Sequence, residues 1–279
     1  MEAGALDAVD RRLQVEMATL AEDVRQRVLR GVGVEAVRIR SDGDTTHAFD
    51  ADVEERLLKF FANTGLPVRF SSEERPDVDL VSSPELLVLV DPLDGSAMVA
   101  RGYPSGSIAV SVVDMATARP LLSRIAEVFT GFQYSALGSV ALKDGVPMRP
   151  SGVQSASEAL VVSYFATSSR IELFRRSPAR WEVCRLLRNY GGLVDIAKVG
   201  AGQCDAMVEV LKGFVAREYV AGLHIAEAAG AVASTLEGAP VPVHLERSER
   251  SRFVVAATPE LHDDLLRLLT GGSPALPPS

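Results

Sequence analysis

The chain has 279 residues, of which 47% are hydrophobic and 24% charged, so it can bury a substantial core in one large domain or two small ones. An excess of 37 acidic over 29 basic residues argues against nucleic acid as a partner, because nucleic-acid sites need clustered positive charge. No apolar run approaches the about 18 residues of a membrane helix, and the N-terminus does not read as a signal peptide. We therefore expect a cytoplasmic protein without a membrane span. Cys184 and Cys204 fit neither a disulfide framework nor a zinc site and are predicted to be buried thiols.

The first half of the chain is predicted to combine helices with a sheet. Apolar residues at helical spacing predict helices over 7–29 and 50–63, and the polar stretch between them favours a hairpin or tight loop that carries Asp50 to a helix start. The apolar run 85–90 has no helical stripe and predicts a strand buried on both faces, which ends at Asp91. Further strands are predicted over 67–72, 105–113 and 125–137, with a hairpin turn at 143–145.

The pattern changes after Pro150, which predicts a boundary between an N-terminal α+β half, 1–150, and a C-terminal α/β half, 151–279. In the second half, strands are predicted over 159–165, 203–210 and 253–257, and helices over 171–187, 194–201, 220–233 and 259–269. The last nine residues are expected to fray.

Acidic residues follow two predicted strands. Asp91 and Asp94 lie three residues apart directly after the buried strand, in the stretch Asp-Pro-Leu-Asp-Gly-Ser, and Glu73-Glu74 follows the strand 67–72. The stretch alone is equally compatible with a local turn in which the two aspartates cap backbone amides. Carboxylates clustered at strand ends, however, are the oxygen ligands that Mg²⁺ prefers. The sequence therefore favours a magnesium site here.

The order of these motifs resembles the inositol monophosphatase and fructose-1,6-bisphosphatase superfamily, and most resembles its archaeal-type branch with dual activity. The resemblance covers about residues 36–257. It rests on GDTTHAFD, Glu73-Glu74, DPLDGS, RGYPSGSIAVSV, VGAGQCDAM and AGLHIAEAAGA. It implies a layered αβαβα sandwich of the α+β and α/β classes, a phosphomonoesterase activity, about two or three Mg²⁺ ions that Mn²⁺ could replace, and a homodimer.

The resemblance also implies roles for individual residues. Glu73, Asp91, Asp94 and the main-chain carbonyl of Leu93 match metal ligands. Ser96 and Asp50 match the pair that polarises the attacking water, and the amides of Gly95 and Ser96 match a turn that cradles phosphate. Glu73, Asp50 and Ser96 are thus the predicted catalytic residues, and Asp94, Gly95 and Ser96 the predicted substrate contacts of this region.

One departure from the family pattern lies in the late motif. Glu218 takes the place of an aspartate that binds metal and contacts substrate in the family, so the carboxylate is longer by one methylene group. A displacement of about 1 Å can cost on the order of 100-fold in rate. The Asn-Phe pair that follows the family's Gly-Ser or Gly-Thr is also absent, since Ala97 and Met98 stand here. These changes affect the expected substrate more than the expected reaction.

Substrate contacts are predicted less sharply. Ser163 and Tyr164 match a Ser-Tyr pair of the archaeal-type branch, and Arg188 and Arg217 are the nearest basic candidates for holding a sugar or a second phosphate. For Tyr164 packing is favoured over substrate contact. A solvated surface charge is favoured for Arg188, whereas Arg217, which adjoins a proposed ligand, is equally compatible with either role. His47 and His224 are interpreted as structural or surface residues.

Two classes of function remain open at this point. The leading hypothesis is a Mg²⁺-dependent phosphomonoesterase that acts on inositol phosphate, fructose 1,6-bisphosphate or a specialised biosynthetic sugar phosphate. A nucleoside bisphosphate ranks last, because no platform for a base is found. The alternative is a catalytically degraded family member that acts as a binding or regulatory module. Retention of Asp50, Glu73, Asp91, Asp94 and Ser96 argues against it, because buried charges are costly once no metal needs them.

Overall fold

A computed structural model describes residues 3–39, 45–164, 181–189 and 192–270. Backbone contacts divide the chain into a first unit, Met1–Gly138 with Leu142–Gly145, and a second unit, Ser139–Ala141 with Val146–Ser279. Among the described residues, no helix is both long enough and apolar enough to span a membrane.

The described residues of the first unit form three helices and a large mixed sheet. Its helices are α1 (Ala3–Arg30), α2 (Ala48–Ala62) and the short α3 (Ser96–Val99). Its strands are β1 (Ala36–Ile39), β2 (Thr45–His47), β3 (Val68–Ser72), β4 (Val78–Asp79), β5 (Leu86–Asp94), β6 (Ser107–Asp114), β7 (Arg119–Glu127) and β8 (Gln133–Leu137). The strands β9 (Val140–Lys143) and β10 (Val146–Pro147) follow at the unit boundary, since Ser139–Ala141 and the residues from Val146 onward are assigned to the second unit.

Helices α1 and α2 form a layer on one face of the eight-stranded sheet, whose order is β10-β9-β8-β7-β6-β5-β3-β4. The predicted apolar stripe of α1 is buried, including Leu13, Met17 and Leu20, so both helix predictions are confirmed. The buried guanidinium of Arg124 on β7 donates two hydrogen bonds to Asp10 on α1, at 2.5 and 2.8 Å. Because breaking a buried charge pair is costly, this contact fixes how α1 lies on the sheet.

Strand β5 lies inside the sheet, parallel to β3 and antiparallel to β6. The prediction of a strand buried on both faces is confirmed, since every residue from Leu86 to Leu93 is buried. The predicted end at Asp91 is wrong, because β5 continues to Asp94 through an irregularity in its pairing with β6. Pro92 interrupts the ladder there, since proline has no N–H to donate.

Two predicted hairpins are confirmed. Strands β1 and β2 pair antiparallel directly before α2. Strands β9 and β10 flank the predicted turn, where Asp144 and Gly145 have φ angles of 50° and 79°. Positive φ at both central positions is the geometry of a tight two-residue hairpin turn, which Asp-Gly favours.

The second unit contains a five-stranded sheet of order β12-β11-β13-β15-β14. Its strands are β11 (Leu160–Ser163), β12 (Leu186–Asn189), β13 (Ala206–Val215), β14 (Val232–Thr235) and β15 (Arg250–Ala256). The α-helices among the described residues of this unit are α4 (Leu193–Gly200), α5 (Val220–Ala228) and α6 (Pro259–Leu269). Alternate residues of β13 and β15, including Ala206, Val208 and Val254, pack with α6, so their neighbours in sequence face the opposite side, where α4 contacts the same strands.

Two helix predictions for the second unit need correction. The helix predicted over 171–187 falls mainly outside the described residues, but Leu186 and Leu187 lie in β12, where they pair with β11. Backbone pairing with β11 has overridden the helical pattern there, although Leu186 is 42% exposed. The helix predicted over 220–233 ends at Ala228, and Val232 and Ala233 already belong to β14.

Helices α4 and α5 approach closely because each presents a glycine. A Cβ atom on Gly222 of α5 would lie 2.6 Å from the carbonyl oxygen of Leu193 and 2.8 Å from Ile196 Cβ, and a Cβ on Gly200 would lie 2.8 Å from Ala226 Cα. No real Cβ contact is this short, so the two helices would have to separate to admit a side chain.

We therefore expect Gly222→Ala to destabilise the protein by about 1–3 kcal/mol, the usual range for overpacking. Gly4→Ala on α1 is the matched control, because a Cβ there meets nothing within 4 Å and alanine favours a helix. Chemical denaturation of the two variants measures the difference. Equal stability of both variants would contradict the close helix packing.

Candidate active site

The parallel pairing of β3 and β5 brings two of the predicted metal ligands to one end of the sheet. The register pairs Ser71 with Leu89 and Ser72 with Val90, so the next residues along the two strands are Glu73 and Asp91. Neighbouring strands are about 4.8 Å apart. Asp91 is 3% exposed, so its carboxylate sits at the end of an apolar strand rather than in bulk water.

The chain turns sharply after β5 and carries Asp94 and Ser96 past the same strand end. Gly95 has a φ of 78°, which favours glycine, and its carbonyl accepts hydrogen bonds from the amides of Met98 and Val99 in α3. Gly106, with a φ of 140°, lies against this turn, and a Cβ there would sit 2.1 Å from Val99 Cγ2 and 3.2 Å from the Asp94 carbonyl oxygen. Both glycines therefore set the path of the turn.

Ser107 is a residue of this region that the sequence did not single out. It pairs with Asp94 in the β5–β6 ladder and is fully buried. Its Oγ has no hydrogen-bond partner among the described residues. Because buried hydroxyls are almost always hydrogen-bonded, an unsatisfied one beside Asp94 marks a place where a ligand or its water could bind.

Asp50 lies in the first turn of α2 and is 3% exposed. Its Oδ2 accepts a hydrogen bond of 2.7 Å from the amide of His47, the residue that caps the helix. His47 stacks on Phe49, and its Nδ1 lies 2.8 Å from the carbonyl oxygen of Val34. The start of helix α2 thus holds the Asp50 carboxylate in position, and His47 has a structural role there, as predicted.

The strand end offers the right donor types for magnesium, which prefers carboxylate, carbonyl and water oxygens. Glu73, Asp91 and Asp94 provide carboxylates, and the buried Leu93 provides a main-chain carbonyl. Across residues 3–39, 45–164, 181–189 and 192–270, however, no three His, Cys, Asp or Glu side chains come together as a metal-binding group. The structure therefore brings these residues to one strand end without gathering their side chains into a ligand set.

Glu218 belongs to the second unit, in a short 3-10 turn between β13 and α5. Its Oε2 accepts a 2.9 Å hydrogen bond from the amide of Val215. Lys212 Nζ lies 3.9 Å from its Oε1, and Arg250 Nη1 lies 3.8 Å from its Oε2. The carboxylate is therefore flanked by two cations, which neither the spacing of the late motif nor its composition indicated.

The predicted substrate residues of the second unit fall in different environments. Ser163 is buried and donates its hydroxyl to the Val208 carbonyl at 2.9 Å, so that hydroxyl is occupied within the sheet. Tyr164 packs edge to face on Phe214, and Lys212 Nζ lies 5.7 Å from the centre of its ring. Lys212, missed in the sequence, thus lies near both Tyr164 and Glu218.

The two arginine candidates differ. Arg188 lies on β12 and is exposed. Arg217 directly precedes Glu218, and its Nε is buried with no hydrogen-bond partner in the described part of the chain. A buried guanidinium N–H without a partner is costly, which makes Arg217 the better candidate for an anionic or hydroxyl-rich ligand.

The comparison with known proteins establishes the family. The chain belongs to the inositol monophosphatase family, whose model matches residues 5–271. The chain is accordingly a phosphoric monoester hydrolase, which is the enzyme class of the family and of its curated relatives. The family that the ordered sequence motifs indicated is thus confirmed.

Three similar proteins illustrate this relationship. A fructose-1,6-bisphosphatase/inositol-1-monophosphatase of Methanothermobacter thermautotrophicus is 27% identical over 90% of this chain and 94% of its own length. The inositol-1-monophosphatase ImpA of Mycolicibacterium smegmatis is 31% identical over 83% of this chain and 82% of its own. The structure of the extragenic suppressor protein suhB from Bartonella henselae superposes with a TM-score of 0.77 at 17% identity, over 92% of this chain and 98% of that one. The predicted fold class, an α+β sandwich of the inositol monophosphatase type, is thereby confirmed.

The cysteines take no part in the predicted chemistry. Burial, with Asp264 and Glu182 nearby, raises the pKa of the partly exposed Cys184 thiol to about 11. Burial also raises the pKa of Cys204, with a further contribution from Asp195. The expectation of a buried thiol is met by Cys204, whereas Cys184 is only partly buried.

Because the thiolate is the reactive form, we expect neither cysteine of the native protein to be alkylated by iodoacetamide at pH 7.5. Reaction of Cys184 should begin only as the pH rises toward about 11, its raised pKa. Intact-protein mass spectrometry measures the label, and unfolded protein, in which both cysteines react, is the control. Rapid labelling of the native protein at pH 7.5 would show that these thiols are not protected as described.

Proposed function

We propose that the protein is a Mg²⁺-dependent phosphomonoesterase that hydrolyses a small sugar or polyol phosphate. The observation that carries the proposal is the parallel β3–β5 pairing, which places Glu73 beside Asp91 at the strand end from which Asp94 and Ser96 follow. Oxygen ligands at such an end suit Mg²⁺, and family membership supports the reaction class.

In this proposal, Glu73, Asp91, Asp94 and the Leu93 carbonyl would hold the metal. Bound Mg²⁺ would supply charge neutralisation for the phosphoryl oxygens and the leaving oxygen, and would lower the pKa of the attacking water. Glu218 is the candidate for an additional ligand, as the family resemblance implies. Its two neighbouring cations, Lys212 and Arg250, already balance its charge, which makes it a weaker metal ligand than the other carboxylates of the set.

The attacking water would be oriented by Asp50 and Ser96. Helix α3, which begins at Ser96, packs against β2, the strand that leads into α2 and Asp50. The two residues therefore belong to neighbouring elements. Asp50 would accept the proton as the water oxygen forms its bond to phosphorus, the phosphorus–oxygen ester bond would break, and the leaving oxygen would take a proton from solvent water to depart as the alcohol. The amides of Gly95 and Ser96 would contact the phosphate.

The substrate class follows from charge and polarity. Arg217 offers a buried donor without a partner among the described residues, and Tyr164 and Lys212 offer a hydroxyl and an ammonium group. Such donors suit the hydroxyl groups or second phosphate of a sugar or polyol better than an apolar ligand. The relatives' names, which mention fructose 1,6-bisphosphate and inositol 1-phosphate, agree with this chemistry.

The first test measures inorganic phosphate release from inositol, sugar and nucleotide phosphates, with and without Mg²⁺. We expect turnover of a sugar or polyol phosphate that requires Mg²⁺ and falls at least about 1,000-fold in Asp91→Asn, because the amide keeps the shape but loses the ligand charge. Asp79→Asn is the matched control, since this exposed aspartate on β4 pairs only with Arg69 among the contacts described. Full activity of Asp91→Asn, or turnover independent of metal, would refute the proposal.

A second test concerns Glu218. If it binds metal, Glu218→Asp should raise the Mg²⁺ concentration for half-maximal activity and lower kcat about tenfold, because the shorter carboxylate withdraws from its present position. A Mg²⁺ titration of activity measures both quantities. An unchanged Mg²⁺ requirement would show that Glu218 is a structural carboxylate balanced by Lys212 and Arg250, and that the metal site is built without it.

A further inference from the structure

Glu74, the neighbour of the predicted metal ligand Glu73, connects the end of β3 to the hairpin that precedes Asp50. Its side chain is 5% exposed, and Oε2 accepts hydrogen bonds from Arg38 on β1, at 2.7 Å, and from the hydroxyl of Thr46 on β2. The same Arg38 nitrogen also donates to the Glu74 carbonyl oxygen at 2.8 Å. One carboxylate therefore joins both strands of the hairpin to the strand end.

The backbone around Glu74 is also joined to α2. Its amide donates to Glu54 Oε1 at 3.2 Å, and the guanidinium of the next residue, Arg75, donates to Glu54 Oε2 at 2.6 Å. Glu54 is 3% exposed and lies one helical turn after Asp50. The segment that carries Glu73 is thus tied to elements on both sides of Asp50, through Thr46 before it and Glu54 after it.

Charge and burial make the carboxylate of Glu74 hard to replace. Thr46 is 2% exposed, so its hydroxyl needs an acceptor within the protein. Hydrogen bonds to an ionised carboxylate are roughly twice as strong as neutral ones. An amide at this position loses the negative charge that pairs with Arg38 and replaces Oε1 with a donor NH₂ group, so its hydrogen bonds to Arg38 and Thr46 are weaker.

We propose that Glu74 is a positioning residue for the hydrolysis. By holding the β1–β2 hairpin through Arg38 and Thr46, it sets where Asp50 stands relative to Glu73, the two groups assigned to the water and the metal. Helix α3 packs on β2, so the same clamp also supports the element that begins at Ser96. This inference rests on the proposed function for its catalytic consequence, whereas the clamp itself is a structural claim.

The structural claim is tested by hydrogen exchange of the native protein. In Glu74→Gln and in Thr46→Val, amides of residues 36–39 and 45–48 should exchange at least about tenfold faster than in the wild type. Glu55→Gln is the matched control, because it removes a carboxylate on α2 that pairs with Lys59 and Arg75 without touching the hairpin. Unchanged exchange in both clamp variants overturns the inference, whatever their activity.

The catalytic claim is tested by a double-mutant cycle on phosphate release. Glu74→Gln should lower kcat about tenfold with KM changed less than about twofold, while Glu55→Gln leaves both unchanged. If Glu74 acts through Asp50, its substitution in the Asp50→Asn background should cost less than about twofold more. Tenfold losses in both backgrounds would show an independent effect and overturn the positioning role.

The two claims fail in different ways. A wild-type protein without Mg²⁺-dependent phosphate release refutes the proposed function, and the exchange experiment still decides whether the clamp exists. An active wild type with an unaffected Glu74→Gln variant refutes the positioning role alone. Thr46→Val replaces a hydroxyl with a methyl group and keeps the Glu74 carboxylate, so it provides a second, milder variant if Glu74→Gln unfolds.

Discussion

The candidate active site depends on one backbone contact, the parallel pairing of β3 with β5. This register sets Glu73 beside Asp91, and β5 then carries Asp94 past the same end. Strand β5 is buried on both faces, which holds the position of its terminal residues rigidly. Catalytic groups must be held within fractions of an ångström, so a rigid strand end is a suitable place for them.

Much of this arrangement could be predicted from the sequence, because it depends on local patterns. The apolar run before Asp91 identified the buried strand, and helical spacing identified the helices that support it. The Asp-Gly pair at 144–145 predicted its hairpin because both positions require positive φ. The ordered acidic motifs, which follow these elements, led to a family that the comparison confirms.

Other features could not be predicted because they depend on contacts between residues distant in the chain. Leu186 and Leu187 carry a helical pattern, yet pairing with β11 makes them a strand. The contacts of Glu74 could not be predicted, since only the fold brings Arg38 and Thr46 to its carboxylate. Lys212 and Arg250 reach Glu218 from different strands, so the balance of charge around it had no signal in the late motif.

We propose that the end of β3 and β5 holds the metal, and Mn²⁺ offers the most direct test. A crystal of active protein grown with Mn²⁺ should show an anomalous-scattering peak within about 2–2.3 Å of carboxylate oxygens of Asp91, Asp94 or Glu73. The peak should disappear in Asp91→Asn. A peak elsewhere, or none at this strand end in protein that hydrolyses its substrate with Mn²⁺, would contradict the account.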